Sequence, residues 1–453
     1  MQSFGHIGIV GNGQAVVSMN SSTKTTTAEP TKVMVHTENK SQGIAAWGSD
    51  NDFPQKLLKE VRKNGAATSG LSLVCDALYG SGFILYKEDF EADKDGESKR
   101  KLIQQSLRQY PEINTFFKNS QMKRFFKESI ADLTYLAISF PEYILSNDGN
   151  TITRAYRQKS AHCRFELMDE KSGFIKNVWV STKWADGVDL KSDYAKKIPL
   201  IDSYWSAEQV KEYCKKNKIK SFVRPMFYSM LDESYYPVAS WHSAYYSKWI
   251  HVANSIPEFK KALFENQVNI KYHIEVDEEY FERKYKGGDK EWDDFTLEEK
   301  ETTRKALVEF IDKYLRGTEN AGKSIWSMIY KDNQGKPFSG IKITAIDDKL
   351  KDGAFLPDGT AANSEVLFAI SVDPTLIGAG IPGGMGAGGG SDKREAWTIL
   401  CARSKPKRET VLESFEFIQQ YNGWSDEVLG GFEDTVLTTL DKNPTGSQKT
   451  ANL

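Results

Sequence analysis

Eight of the thirteen residues from 378 to 390 are glycine, the strongest local bias in the 453-residue chain. Such a run acts through its backbone. Without a Cβ, its N–H groups can crowd around a phosphate, and another molecule can pass close to the main chain. The nucleotide phosphate loop is written G-x-x-x-x-G-K-[ST] and follows a buried strand. Here no lysine directly follows the glycines. Lys393 comes only after Ser391-Asp392, and what precedes reads as helix and turn. A nucleotide loop therefore lacks its cation, and a plain glycine linker stands beside it as the alternative. A second group, Gly8-Ile-Val-Gly11-Asn-Gly13, has the opening of a dinucleotide fingerprint. That fingerprint needs a third glycine three residues on and then a helix. Position 16 is Val and a Ser/Thr-rich stretch follows, so both requirements fail.

The remaining chemistry-bearing residues are scattered. The histidines are His6, His36, His162, His242, His251 and His273. Only His162 has a ligand-type neighbour, Cys163, and adjacent strand residues point to opposite faces, so one metal could hardly hold both. His242 and His251 fall in an aromatic stretch and read as packed or surface residues. There is no G-x-S-x-G elbow and no H-E-x-x-H. The expectation is no catalytic residue, no cofactor and no metal, hence no enzyme. Lys and Arg total 60 against 62 for Asp and Glu, a net charge of −2. That argues against coating nucleic acid through net positive charge. Cys75, Cys163, Cys214 and Cys401 form no C-x-x-C pair and suit buried thiols of a reducing compartment. No apolar run is long enough for a membrane span and no basic, apolar leader opens the chain, so neither is expected.

The elements that must position these residues follow from periodicity and punctuation. At about 150 residues per domain the length suggests roughly three domains. Residues 1–45 read as an arm with a short strand around Ile7, Ile9, Val10, Val16 and Val17. Pro54 opens a helix at its first turn, and Asn64-Gly65 stops it. A second helix ends at Gly80, a strand covers 83–86, and the charged stretch 88–101 reads as a loop. Residues 122–136 have a helical period. Strands at 137–145 and 151–156 flank an Asn147-Asp148-Gly149-Asn150 turn, with a further strand at 174–181 and a surface helix at 206–217.

Residues 240–266 are helical and aromatic, and Pro257 either kinks this helix or breaks it at the Ser255/Glu258 capping-box pair. A strand at 267–276 follows. Thr296 and Glu299 open a helix that ends at Gly317, and strands at 324–330 and 341–346 complete a small module. After a short helix at 361–370 and the glycines, Ser391 is positioned to N-cap a long helix that Pro406 must kink and Asn422-Gly423 ends. Residues 428–440 read as a hairpin around Gly430-Gly431, and 443–453 as a tail. The fold class is α+β.

This order resembles the portal proteins of tailed bacteriophages, ring proteins at one capsid vertex. The specific stretches are Asp373-Pro374-Thr375-Leu376-Ile377-Gly378 with the following glycines, then Ser391-Asp392-Lys393-Arg394-Glu395 and Lys405-Pro406-Lys407-Arg408-Glu409. Gly317-Thr-Glu-Asn320-Ala-Gly322-Lys323, Trp47-Gly48-Ser-Asp50-Asn51-Asp52-Phe53-Pro54 and Gly80-Ser-Gly82 are similar to other portal segments. The resemblance covers most of 46–440 by element order, and only the glycine loop with its flanks is specific.

The resemblance implies an arm at 1–45, an α/β wing at 46–240 and stem helices at 241–267 and 350–372. It puts a small α/β clip at 268–349, a tunnel loop at 373–391, a kinked wing helix at 392–424 and a short hairpin with a tail at 425–453. The family's usual crown is nearly absent. The implied function is a channel for double-stranded DNA during packaging and ejection, as a head-to-tail connector. The DNA-facing residues would be Ile381, Gly383, Gly384, Met385, Gly386, Gly388, Gly389, Gly390, Lys393 and Arg394. The implied partners are further copies in a closed ring, taken as a dodecamer, double-stranded DNA, the terminase large subunit, a head–tail adaptor and the major capsid protein, with no membrane. The implied location is the virion, after assembly in the host cytoplasm. Two other classes remain: a nucleotide-binding enzyme using the glycine-rich stretch, and a capsid or tail structural protein without a channel.

Overall fold

The computed structural model describes residues 2–4, 7–10, 15–18, 40–41, 43–92, 98–228, 235–266, 272–316, 329–331, 337–345, 356–378 and 389–435. The chain forms two compact units, Met1–Asn254 with Asp358–Leu453, and Ser255–Pro357. Helices combine with antiparallel strand pairs, as an α+β chain requires.

The larger unit starts with an antiparallel meander, Gln2–Phe4, Ile7–Val10 and Ala15–Ser18. The arm does not stay outside the core throughout, because Ile44 and Ala45 are buried. Helix Phe53–Lys63 opens at Pro54 and runs directly into helix Gly65–Tyr79. Asn64 serves both: its N–H closes the first helix on the Val61 carbonyl, and its side-chain oxygen accepts from the Ala67 N–H at 2.7 Å. Helices Pro111–Ser120 and Met122–Leu136 follow. Strand Ile138–Leu145 pairs with Ile152–Gln158 on one side and with Ser221–Val223 and Met226–Phe227 on the other. A second sheet joins Cys163–Phe165, Asn177–Val180 and Lys196–Pro199. Helix Ala207–Lys216 opens on a capping box, Ser206 with Gln209, that the sequence reading did not single out.

The long helix Gly390–Asn422 packs against Gly65–Tyr79, Met122–Leu136, Ala207–Lys216 and strand Leu429–Glu433. Its Phe415 joins Phe83, Phe117, Phe126 and Phe432 in one aromatic cluster. The Phe83 ring lies 5.0 Å from Phe117 and from Phe126, and 5.1 Å from Phe415.

Four local readings are corrected. Residues 88–92 and 98–101 are not a loop: strands Gly82–Ala92 and Ser98–Gln105 pair antiparallel, and opposite charges facing each other across the two strands support that pairing as well as they would solvate a loop, while 93–97 lie outside the described residues. Gly430 and Gly431 are not a turn. They lie within strand Leu429–Glu433, which pairs with Gly82–Tyr86. A Cβ at Gly430 would stand 2.7 Å from Phe415 and 2.8 Å from Phe83, so glycine lets the aromatic cluster reach the strand backbone. The aromatic helix does not break at Pro257. It is interrupted earlier, between His242–Tyr246 and Trp249–Asn266, where Lys248 takes φ 71°, and the second helix runs through Pro257. Ser391 is not the N-cap of the long helix, because Gly389 holds that position.

The smaller unit pairs Tyr272–Val276 with Ile341–Ala345, and Ile329–Lys331 with Pro337–Ser339. Between them lie helix Glu278–Tyr285, absent from the sequence reading, and helix Leu297–Arg316. Thr296 and Glu299 do cap each other at the start of the latter, the Thr296 N–H donating to the Glu299 carboxylate at 2.8 Å. A small aromatic core holds the start of this unit, although Leu297, Val308 and Phe310 on helix Leu297–Arg316 are exposed. Phe281 stacks on Trp292 at 4.7 Å, with Phe295 at 5.3 Å from Trp292. The strand residues expected at 267–271 and 324–328 lie outside the described residues.

Candidate functional site

The glycine-rich stretch is held at both ends. On its N-terminal side, helix Leu356–Ile370 presses on helix Gly65–Tyr79 at Gly70, where a Cβ would stand 3.2 Å from Ile370 and 3.4 Å from Leu367. Small size at Gly70 sets that close approach. The helix ends with Ser371 at φ 64°, and the Val372 N–H returns to the Leu367 carbonyl at 3.2 Å, a left-handed C-terminal cap. Asp373 then accepts from the Thr375 N–H at 2.8 Å and from its hydroxyl at 2.7 Å, opening the turn Pro374–Leu376. This turn packs on the long helix. The Asp-Pro-Thr sequence is thus an Asx-capped turn that reverses the chain. Gly378 leaves it at φ 102°, a conformation that suits glycine.

On the C-terminal side, Gly389 caps the long helix and its own N–H donates to the Asp392 carboxylate at 3.0 Å. Lys393 is exposed, Arg394 half-buried, and the Arg394 guanidinium lies near Gly390. Asp392 and Glu395 share this first turn, so its two positive charges meet two negative ones. A phosphate at this helix end would meet the Asp392 carboxylate, already placed where an anion would bind. Of the sequence-derived set, Gly389, Gly390, Lys393 and Arg394 therefore come together at one helix start. Ile381, Gly383, Gly384, Met385, Gly386 and Gly388 lie outside the described residues.

Further along, the helix is locked. The Trp397 indole donates to the Thr435 carbonyl at 2.7 Å. Arg408, 5% exposed, donates from Nε to the Leu78 carbonyl at 3.0 Å and from a terminal nitrogen to the Ala77 carbonyl at 2.6 Å. It also pairs with Asp434 at 2.5 Å. Ala77 and Leu78 are in the last turn of helix Gly65–Tyr79, whose carbonyls have no partner within their own helix. Arg408 supplies both hydrogen bonds and the positive charge a helix C-terminus favours. The adjoining Gly80 accepts no side chain, since its Cβ would stand 2.1 Å from the Glu433 carbonyl oxygen. This explains Gly80-Ser-Gly82. The sequence reading quoted Arg408 without a role. The available signal was its place on the stripe Leu400, Ser404, Arg408, Val411, Phe415, where an apolar residue is expected.

The Trp47–Pro54 motif is also structural. Arg164 is fully buried and donates to Asn51 twice, at 2.5 Å to its side chain and 2.7 Å to its carbonyl, and to the Cys163 carbonyl at 2.7 Å. Its guanidinium lies 5.5 Å from the Trp47 ring and 5.4 Å from Trp184. Burial lowers its pKa to about 10, so it stays charged at neutral pH, held by neutral acceptors and two aromatic faces.

His242 is fully buried and its Nε2 donates to the Tyr135 carbonyl at 2.9 Å. Burial pushes its pKa down to about 4. Burial raises the thiols, Cys75 to about 11 and Cys214 to about 12, which leaves them weak nucleophiles. Among the described residues no group of three or more His, Cys, Asp or Glu side chains is placed to hold a metal. None of their helices is long and apolar enough to cross a membrane.

No protein-family profile and no curated protein sequence matches this chain. Solved structures do. A chain from the neck of the native gene transfer agent particle, computed with C12 symmetry, superposes with a TM-score of 0.54 at 14% identity, over 85% of this chain and 84% of that one. A chain from the virion of the native gene transfer agent particle gives 0.54 at 13%, over 89% and 88%. One from the neck of the empty particle, computed with C6 symmetry, gives 0.55 at 15%, over 86% and 85%. At these identities the likeness is one of fold, and it runs through nearly the whole of each chain.

Proposed function

We propose that this chain is the portal of a phage-type particle: a ring-forming head-to-tail connector in the virion, with a channel for double-stranded DNA and no covalent chemistry of its own. The observation that carries this is the end-to-end fold match to a chain of a particle neck computed with C12 symmetry. A ring needs a head-to-tail contact whose rotation closes, and every feature of one chain is then repeated about an axis. In this reading the larger unit is wing and tunnel side, and the smaller unit is the clip that docks the terminase motor and then the tail adaptor.

The glycine-rich stretch suits a channel wall. Its flanks are anchored by the Asp373 turn and by the Trp397 and Arg408 hydrogen bonds. Between them Ile381, Met385 and the glycines would meet the duplex without directed bonds. DNA binding through many neutralised phosphates is tight and salt-dependent, and would stall a sliding polymer. A turn whose Lys393 and Arg394 are balanced by Asp392 and Glu395 gives weak, sequence-blind contact instead. The nucleotide-enzyme reading gains nothing from these flanks, since a carboxylate occupies the anion position.

Electron microscopy of the purified chain tests the proposal. Closed rings with a central hole are expected, and filaments or monomers would overturn it. Shortening residues 383–390 should leave the rings intact while DNA packaging or retention drops. ATP hydrolysis that survives purification and disappears when the glycines are replaced would establish the enzyme reading.

A further inference from the structure

The hairpin Gly82–Ala92/Ser98–Gln105 is longer than the sheet it belongs to. Strand Leu429–Glu433 pairs only with Gly82–Tyr86, whereas the hairpin register runs from Leu85 opposite Gln105 to Ala92 opposite Ser98. Among the described residues it is a two-stranded ribbon beyond Tyr86, and Ser98–Gln105 is the outer strand of the sheet. A two-stranded ribbon is marginal by itself, and a strand edge is a template for another strand. Phe90 on this ribbon is 63% exposed and Ile103 39%.

The ribbon is sorted by charge. Beyond Lys87, which pairs with Glu427 at 2.7 Å at the foot of the ribbon, one strand carries Glu88, Asp89 and Glu91, and the other carries Lys99, Arg100 and Lys101. In register Asp89 stands opposite Lys101, Phe90 opposite Arg100 and Glu91 opposite Lys99. The opposed signs face each other across the ribbon itself, and their sorting has a second consequence. Segregation makes one long edge acidic and the other basic. A two-fold pairing of two such ribbons would set like edges together, which is repulsive. A sideways, head-to-tail pairing sets acidic against basic. Rotation about a ring axis keeps strand directions, and the two strands of a ribbon run oppositely, so the edges brought together are antiparallel.

We infer that this ribbon is a subunit-joining arm, whose acidic strand adds edge-on to the basic strand of the same ribbon in the next copy. The occupant of each edge is a second copy of this chain. The inference rests on the ring reading and names where part of the ring contact lies.

Charge reversal tests it. One variant, Glu88→Lys with Asp89→Lys and Glu91→Lys, makes the ribbon wholly basic. A second, Lys99→Glu with Arg100→Glu and Lys101→Glu, makes both edges acidic beyond Lys87. Each alone should lower the ring fraction at fixed concentration by about tenfold or more, measured by sedimentation at low salt. The six-residue exchange should restore rings. So should an equal mixture of the two variants, which cannot repair a folding defect inside either chain. If rings persist in both single-sign variants, or if neither the mixture nor the exchange restores them, the ribbon is not the joint, while wild-type rings keep the portal reading. A wild-type chain that forms no rings overturns both.

Discussion

About four turns apart on one helix, two arginines serve opposite ends. Arg394 sits in the first turn beside exposed Lys393, among charges of both signs, next to the glycine-rich stretch. Arg408 is buried, and its guanidinium is spent on the Ala77 and Leu78 carbonyls and on Asp434. The same side chain is a neutralised surface charge in one place and a structural clamp in the other. In the proposed channel the difference would separate what stays fixed from what does not hold on. The middle of the helix is tied to a second helix by directional bonds, so the approach to the glycines is rigid. The helix start has no net charge with which to seize a polyanion.

The largest break in this comparison is Arg408→Met. It would leave the Asp434 carboxylate and two helix-end carbonyls buried without their partner. Removing one member of a buried pair costs about 3–5 kcal/mol. Urea unfolding should show a loss of that size, whereas Lys393→Gln should change stability by less than about 0.5 kcal/mol, as surface substitutions do. Equal losses in the two variants would mean that Arg408 is not a clamp.

Much of this frame was legible before any coordinates. Pro54, the Thr296/Glu299 pair and the Asn147–Asn150 turn each act locally, so their effects can be read from neighbouring letters. The glycine bias was equally local. What was misread depended on partners far away in the chain. Gly430 looked like a turn because its reason is Phe83, more than three hundred residues earlier. The 88–101 stretch looked like a loop because a charged strand is recognised only when its opposite strand is known. Arg164 and Arg408 were given no role because nothing nearby in sequence announces the distant groups they bond, Asn51 for one and the Ala77 and Leu78 carbonyls for the other. Ser391 lost the cap to Gly389 because Asp392 reaches back to the Gly389 N–H.

A buried histidine sharpens the comparison from another side. Arg164 keeps its charge in the core because several acceptors surround it. His242 has the Tyr135 carbonyl at Nε2 and no hydrogen-bond partner at Nδ1, so burial keeps it neutral with a pKa near 4. In the unfolded chain its value is about 6.5. The folded value is the lower one, so the unfolded state binds the proton first as the solution is acidified. The stability is therefore complete above about pH 6.5 and falls as pH drops toward 4, by about 3 kcal/mol over that window. His242→Gln keeps an N–H for the Tyr135 carbonyl and cannot titrate. Its unfolding midpoint should be much flatter between those pH values, and an unchanged slope would assign the acid sensitivity to other groups.

The smallest effect on stability belongs to the helix start, and it tests the balance most directly. Asp392→Asn keeps an oxygen for the Gly389 N–H but removes a charge near a helix N-terminus, worth about 0.3–1 kcal/mol. In a ring the same change is repeated in every copy, so it places a belt of uncancelled positive charge beside the proposed channel. DNA retention in assembled particles should then become more salt-sensitive, because each neutralised phosphate releases counterions. Lys393→Gln changes the balance the other way and should make retention less salt-sensitive than in the wild type. If both substitutions shift the salt dependence in the same direction, the first turn acts through its shape, and the charge balance at the start of the helix has no part in how the channel treats DNA.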